Sequence, residues 1–100
     1  MLELDKGTLL AERYTLNRRL GGGGEAQTWL AKDRLTGTQV ALKIAAARPG
    51  AAERLRAEWQ TNIRLMHAHI ARAFEFHDEP GGAFYSQQYI EGGDLSAMAG

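Results

Sequence analysis

Several stretches of the chain alternate apolar and polar residues between turn sequences, which is the pattern of β-strands. In the stretch "TQVALKI", Val40, Leu42 and Ile44 fall on one face of the predicted strand, and Ala41 and Lys43 fall on the other. The segments with strand-forming patterns are 14–20, 27–33, 38–44, 71–77 and 83–90. They predict five strands, and the first of them ends in a run of glycines.

One long helix, Ala51 to Met66, is predicted between the third and fourth strands. Its apolar residues recur at helical spacings and share one face. They are Leu55, Trp59, Ile63 and Met66. Because the connections between strands are short and hairpin-like, the sheet is expected to be antiparallel. The predicted fold class is therefore α+β, a five-stranded antiparallel sheet with one helix, in the order β-β-β-α-β-β. Asp94 is placed to cap a further helix from Leu95, and Trp29 is expected to be partly exposed.

The composition indicates one globular domain and excludes several classes of function. The 100 residues carry 12 basic and 12 acidic side chains, which leaves no net field to attract nucleic acid or an anionic membrane. Without cysteine, disulfides and thiolate zinc sites are excluded. His67, His69 and His77 lack the spacing of a metal site, so none is predicted. No apolar run is long enough to span a bilayer and no signal-peptide core is present, so a cytoplasmic location is expected.

The glycine run lies in "LGGGGEAQTWLA", and Gly21, Gly23 and Ala26 match a G-x-G-x-x-[G/A] pattern. Such a run is also typical of an ordinary hairpin turn. A dinucleotide fold needs a helix after the glycines, and a Walker loop needs a closing Gly-Lys-Ser/Thr; the chain has neither. The glycines instead join two predicted strands, and a lysine follows on the third. A hairpin without side chains can cover nucleotide phosphates and offer them backbone N–H groups.

Lys43 is the candidate cation for such phosphates. It shares a strand face with Ala41, whose small side chain leaves room for a flat base. Thr28, on the neighbouring strand, is placed to cover that base. The pattern therefore predicts a nucleotide site on this face of the sheet.

A lysine on a packed face of a sheet is costly unless it has a partner. Glu58 lies about 60° around the predicted helix from Leu55, at the edge of the apolar face, where helix and sheet meet. Glu58 is therefore a candidate partner for Lys43. A surface glutamate paired with Asn62 or Arg54 is equally compatible with this spacing.

Together these motifs resemble the N-terminal lobe of a protein kinase, and they are most similar to the eukaryotic-like Ser/Thr kinases that also occur in bacteria. The resemblance covers nearly the whole chain, from about Tyr14 to Met98. "LGGGGEAQTWLA" stands at the glycine-rich loop, "VALK" at the strand with the ATP-positioning lysine, and "YSQQYIEGGDL" at the hinge between lobes. Glu58 stands at the helix-C glutamate, and "MHAHI" follows it where the family often has His-Pro-Asn-Ile.

The resemblance implies a role for each of these positions. Lys43 would hold the α- and β-phosphates and Glu58 would hold Lys43, so these two are the implied catalytic residues. Gln87 would be the gatekeeper behind the adenine, and the backbone of Gln88 and Ile90 would bind the adenine. The implied ATP-binding residues are Leu20, Gly21, Gly22, Gly23, Gly24, Glu25, Ala26, Gln27, Thr28, Ala41, Lys43, Gln87, Gln88, Ile90 and, near the ribose, Asp94. Mg²⁺ would be held mainly by the second lobe.

The chain departs from the family pattern at several positions. Glu25 replaces the usual aromatic residue at the loop tip, which predicts a looser closure over the phosphates. Ala26 stands for the third glycine, Thr28 for the usual valine and Gln88 for the usual hinge acid. The 100 residues contain neither His-Arg-Asp nor Asp-Phe-Gly, the motifs that supply the catalytic base and the magnesium ligands. By itself this chain is therefore expected not to transfer phosphate.

The implied function is that of the ATP-binding lobe of a Ser/Thr protein kinase, with ATP and a protein substrate as partners. The alternatives are a pseudokinase that serves as a scaffold, and an α+β interaction domain without a nucleotide role. The expected divisions are an N-terminal extension at 1–13, the lobe at 14–91, and the hinge with the start of a second lobe at 92–100. An isolated lobe exposes its cleft, so self-association is expected.

Overall fold

The computed structural model describes residues 4–64, 73–79 and 82–89. In these residues the chain forms a six-stranded sheet and one helix. The strands are β1 (Leu9–Leu10), β2 (Tyr14–Gly22), β3 (Ala26–Asp33), β4 (Thr38–Ala45), β5 (Ala73–Glu79) and β6 (Gly82–Gln88), and the helix is α1 (Ala51–Arg64). The predicted α+β class is confirmed, with one strand more than expected. In the described part of the chain, no helix has the length and apolar character needed to cross a membrane.

All paired strands are antiparallel, and their order in the sheet is β1-β2-β3-β4-β6-β5. β4 is an interior strand, with β3 on one side and β6 on the other. In this register Lys43 on β4 lies opposite Thr28 on β3 and opposite Tyr85 on β6. Because directly opposed residues point to the same side of a sheet, three strands contribute side chains to one place.

The two faces of the sheet are packed differently. One face carries the main core, and its buried residues are Leu10, Tyr14, Leu16, Trp29, Ala31, Val40, Leu42, Ile44 and Phe84. On the other face, Leu55 of α1 is buried with Ala26 and Tyr85, and Trp59 and Phe76 pack beside them. The predicted division of β4 is therefore confirmed, because Val40, Leu42 and Ile44 all belong to the main core.

The sixth strand, β1, was not predicted, because two residues are too short to show an alternating pattern. Leu9 and Leu10 pair with Thr15 and Tyr14, so part of the 1–13 segment joins the sheet. The prediction of a partly exposed Trp29 was wrong, because the residue is only 7% exposed. Trp29 lies opposite Leu42, and the alternation along β3 turns it into the main core.

Strand ends differ modestly from the prediction. β5 reaches Glu79 instead of ending at 77, and β6 ends at Gln88 instead of 90. The predictions for Met66, Ile90, Asp94 and the helix from Leu95 lie outside the described residues. The division of the chain at 1–13, 14–91 and 92–100 stays a prediction.

An ion pair fastens the turn before β2 to the end of β3. The Nε and Nη2 atoms of Arg13 donate to the two carboxylate oxygens of Asp33, each at 2.8 Å. The backbone N–H of Leu35 also donates to Asp33 Oδ1, at 2.9 Å, so the same carboxylate closes the β3–β4 turn. Asp33 is buried, and the hydrogen bonds from Arg13 lower its pKa to about 2. One side chain therefore organises two turns.

Candidate nucleotide-binding site

The glycine run forms the hairpin between β2 and β3. Gly22 has a φ of +128°, and a Cβ there would lie 2.5 Å from the carbonyl oxygen of Ala26 and 2.7 Å from Cα of Gln27. A side chain at this position would therefore distort the hairpin. A Cβ at Gly21 or Gly23 would meet no atom within 4 Å. The backbone at those two positions is thus open to an approaching ligand.

We expect Gly22→Ala to lower the free energy of unfolding by about 1–3 kcal/mol, because the new methyl group meets backbone atoms and the positive φ disfavours a side chain. The measurement is urea unfolding followed by circular dichroism. Gly23→Ala is the matched control, since its Cβ meets open space. Equal losses in the two variants would contradict the steric role of Gly22.

The predicted pairing of Lys43 with Glu58 is confirmed. Lys43 Nζ donates to Glu58 Oε1 at 2.6 Å, and the two side chains are 30% and 39% exposed. The two competing partners for Glu58 have other partners. Arg54 pairs with Glu25 of the glycine hairpin, and Asn62 donates a hydrogen bond to Tyr85 of β6. The pair remains open enough for a ligand to reach the lysine.

Tyr85 completes the surroundings of this pair. Its side chain is buried beside Lys43, and its hydroxyl accepts a hydrogen bond from Asn62 Nδ2 at 3.2 Å. Burial, and next the charge of Glu58, raise the pKa of Tyr85 to about 12. Tyr85 is therefore neutral at physiological pH.

A cleft of about 320 Å³ opens between the glycine hairpin and the Lys43–Glu58 pair. It is lined by Leu20, Gly21, Thr28, Lys43, Glu58, Asn62, Tyr85 and Gln87. The sequence predicted all of these except Asn62 and Tyr85. Two signals could have found them: Tyr85 lies two residues before Gln87 on the same strand face, and Asn62 lies one helical turn after Glu58. The volume is that of a small-molecule site.

Three other residues that were predicted to bind ATP do not line this cleft. Ala41 is fully buried opposite Gln87 and is not among the residues that line the cleft. Gln88 is exposed at the end of β6. The side chain of Gln27 is turned away, because its Oε1 accepts a hydrogen bond from Nε1 of Trp29 at 3.0 Å.

Glu25 and Ala26 line a second cavity, of about 360 Å³, between the hairpin tip and α1. Lys43 and Glu58 also line this cavity, so the ion pair lies where the two spaces meet. Within the described segments, no group of three or more His, Cys, Asp or Glu side chains is arranged to hold a metal ion.

These features define a class of site: a glycine hairpin beside a cleft, with a lysine on an interior strand that is held by a glutamate of the single helix. This is the arrangement that protein kinases use to hold nucleotide phosphates. Comparison with known proteins gives the family.

No family model matches the chain, but individual kinases do. The DNA damage-responsive serine/threonine-protein kinase RqkA of Deinococcus radiodurans is 36% identical over 101 residues, which cover 97% of this chain and 15% of RqkA. The serine/threonine-protein kinase PknA of Mycobacterium tuberculosis is 31% identical, with 92% of this chain and 23% of PknA covered. The chain thus spans less than a quarter of the length of these curated relatives.

Solved structures agree with this match at the level of the fold. The kinase domain of Mycobacterium tuberculosis PknI superposes with a TM-score of 0.70 at 24% identity, over 91% of this chain and 38% of that domain. Another kinase domain superposes with a TM-score of 0.78 at 13% identity, over 87% of this chain and 27% of the domain. The chain belongs to the bacterial-type Ser/Thr protein kinases and corresponds to their N-terminal lobe.

Proposed function

We propose that the chain binds ATP, and that it serves as the ATP-binding lobe of a Ser/Thr protein kinase that transfers the γ-phosphoryl group to protein hydroxyls. The observation that carries the proposal is the 2.6 Å pair between Lys43 Nζ and Glu58 Oε1 at the edge of the cleft. A partly exposed lysine held by a carboxylate is ready to bind phosphate oxygens, since its position is set before the ligand arrives.

Different parts of the cleft suit different parts of ATP. Leu20 and Thr28 line it on the hairpin side and Gln87 lines it on the β6 side, and we assign the space between these three side chains to the adenine. No side chain covers the backbone at Gly21, so phosphates can approach the hairpin closely there, and Lys43 offers its charge.

Magnesium accompanies ATP in protein kinases and neutralises charge as phosphate is transferred. The described residues provide no carboxylate cluster for it, and the 100 residues contain neither His-Arg-Asp nor Asp-Phe-Gly. We therefore propose that this lobe positions the nucleotide, while a second lobe supplies the base and the metal ligands. The chain alone is expected to bind without transferring phosphate.

Nuclear magnetic resonance on the labelled chain tests the binding proposal. We expect millimolar ATP to shift the backbone amide signals of Gly21, Gly23, Thr28 and Ala41, and to leave Gly7 unchanged. Adenosine should shift Thr28 and Ala41 but not the glycines, because it has no phosphates. If ATP shifts none of these signals, the nucleotide role is wrong.

We also propose a cytoplasmic location, a protein substrate and self-association of the isolated lobe. The balanced charge supports the absence of a nucleic-acid partner. The proposed self-association is supported by exposed apolar surface. Among the described residues, the large apolar side chains that are exposed are Leu9, Leu35 and Phe74.

A further inference from the structure

A second ion pair joins the tip of the glycine hairpin to α1. Arg54 Nη2 donates to Glu25 Oε1 at 2.9 Å and to Oε2 at 3.1 Å, and Arg54 Nε donates to Oε2 at 3.2 Å. Two further contacts hold the tip from the β4–α1 connection. The N–H of Ala46 donates to the carbonyl of Glu25 at 2.8 Å, and Arg48 Nη1 donates to the carbonyl of Gly24 at 3.2 Å.

This pair and the Lys43–Glu58 pair are related by the geometry of α1. Arg54 and Glu58 are four residues apart and therefore lie on the same side of the helix. Both pairs line the 360 Å³ cavity, whose apolar lining is formed by Ala26, Ala51 and Leu55. One side of one helix thus contacts both the lysine and the hairpin tip.

The exposed pair adds little to the stability of the fold. The side chains of Arg54 and Glu25 are 58% and 57% exposed, and exposed pairs contribute at most about 1 kcal/mol. The segment that they restrain is unusually flexible, however, because four consecutive glycines lose more conformational entropy on ordering than any other sequence. A hairpin that is already ordered binds its ligand more tightly, since that entropy is not lost on binding.

We propose that Arg54 and Glu25 are positioning residues: their ion pair holds the glycine hairpin closed over the nucleotide phosphates. Glu25 stands where the family has an aromatic residue, and the pair supplies the closure that this replacement would otherwise weaken. The inference rests on the proposed ATP site. It assigns the two residues to the phosphates and not to the adenine, because they hold the tip of the hairpin.

The test is ATP and adenosine affinity, measured by NMR titration of the chain and of single variants. We expect Arg54→Ala and Glu25→Ala each to weaken ATP binding about five- to tenfold and to leave adenosine unchanged. The double variant should be no weaker than either single one, because both remove the same contact. Arg56→Ala is the matched control: it removes the same charge from α1, and Arg56 lies over the ring of Phe76 instead of the hairpin.

The direction in which Glu25→Ala changes ATP affinity distinguishes positioning of the hairpin from a long-range electrostatic effect. If the charges acted only at a distance, removing the Glu25 carboxylate would tighten ATP binding and removing Arg54 would weaken it. Tighter ATP binding by Glu25→Ala, or equal effects of Arg54→Ala and Arg56→Ala, would overturn the inference. No ATP binding by the unmodified chain would overturn the ATP site itself, which is a separate result.

Discussion

Replacing Lys43 with methionine is expected to weaken ATP binding by about ten- to a hundredfold, because hydrogen bonds to charged groups contribute about 1.5–3 kcal/mol. Adenosine binding should not change, since the proposed role of the lysine is to hold the phosphates, which adenosine lacks. In a protein that joins this lobe to a catalytic lobe, the same substitution should abolish phosphoryl transfer. The fold should survive, because methionine keeps most of the apolar stem, and the ion pair of a lysine side chain that is 30% exposed contributes little to stability.

Affinity and unfolding of Lys43→Met need to be measured together. Lys32→Met is the control, since Lys32 is an exposed lysine of the neighbouring strand, opposite Gln39. Normal ATP affinity in Lys43→Met would show that the pair with Glu58 is structural. A large loss of stability in Lys43→Met would also contradict the proposed phosphate-binding role, because it would show that the Lys43–Glu58 pair mainly stabilises the fold.

Replacing Asp33 with asparagine should lower the free energy of unfolding by about 2 kcal/mol at neutral pH. The pKa of Asp33 falls from its usual value near 3.8 to about 2 in the folded chain, and each pH unit corresponds to about 1.4 kcal/mol. The cause is the two-point hydrogen bond from Arg13, which asparagine cannot reproduce. Urea unfolding gives the difference directly.

The same shift predicts a pH dependence with a definite sign. Because the folded pKa is the lower one, the stabilisation is complete above about pH 4 and is lost as the pH falls toward 2. The difference between the unmodified chain and Asp33→Asn should therefore shrink over that window. Asp78→Asn, which alters an exposed acid on β5, is the control. A difference that stays constant down to pH 2 would mean that the carboxylate charge is not responsible.

The sequence predicted the parts of the fold that follow from local periodicity. Strand alternation placed Lys43 on the opposite face from Leu42, and rotation about the helix placed Glu58 at the edge of the apolar face. The two predictions converge only because β4 and α1 are consecutive, so that the short connection between them leaves few ways to pack. The Lys43–Glu58 pair therefore follows from two local patterns and one short connection.

Features that depend on distant contacts were not predictable in this way. β1 is too short to show a period, and its pairing with β2 depends on a turn whose residues Ala11 and Glu12 have positive φ. Nothing local marks Arg54 as the partner of Glu25, since 29 residues separate them. Trp29 was misplaced because its burial depends on which face of the sheet carries the main core.

Because β4 is an interior strand, it and the glycine hairpin are expected to move on different timescales. β4 is hydrogen-bonded along both edges, so its amide protons exchange with solvent only when the sheet itself opens. The glycine hairpin is held at its tip in part by the exposed Arg54–Glu25 pair, and exposed side-chain contacts of this kind open and close far faster. In the proposed ATP site, a nucleotide would therefore enter and leave by movement of the hairpin, while Lys43 stays in place from one binding event to the next.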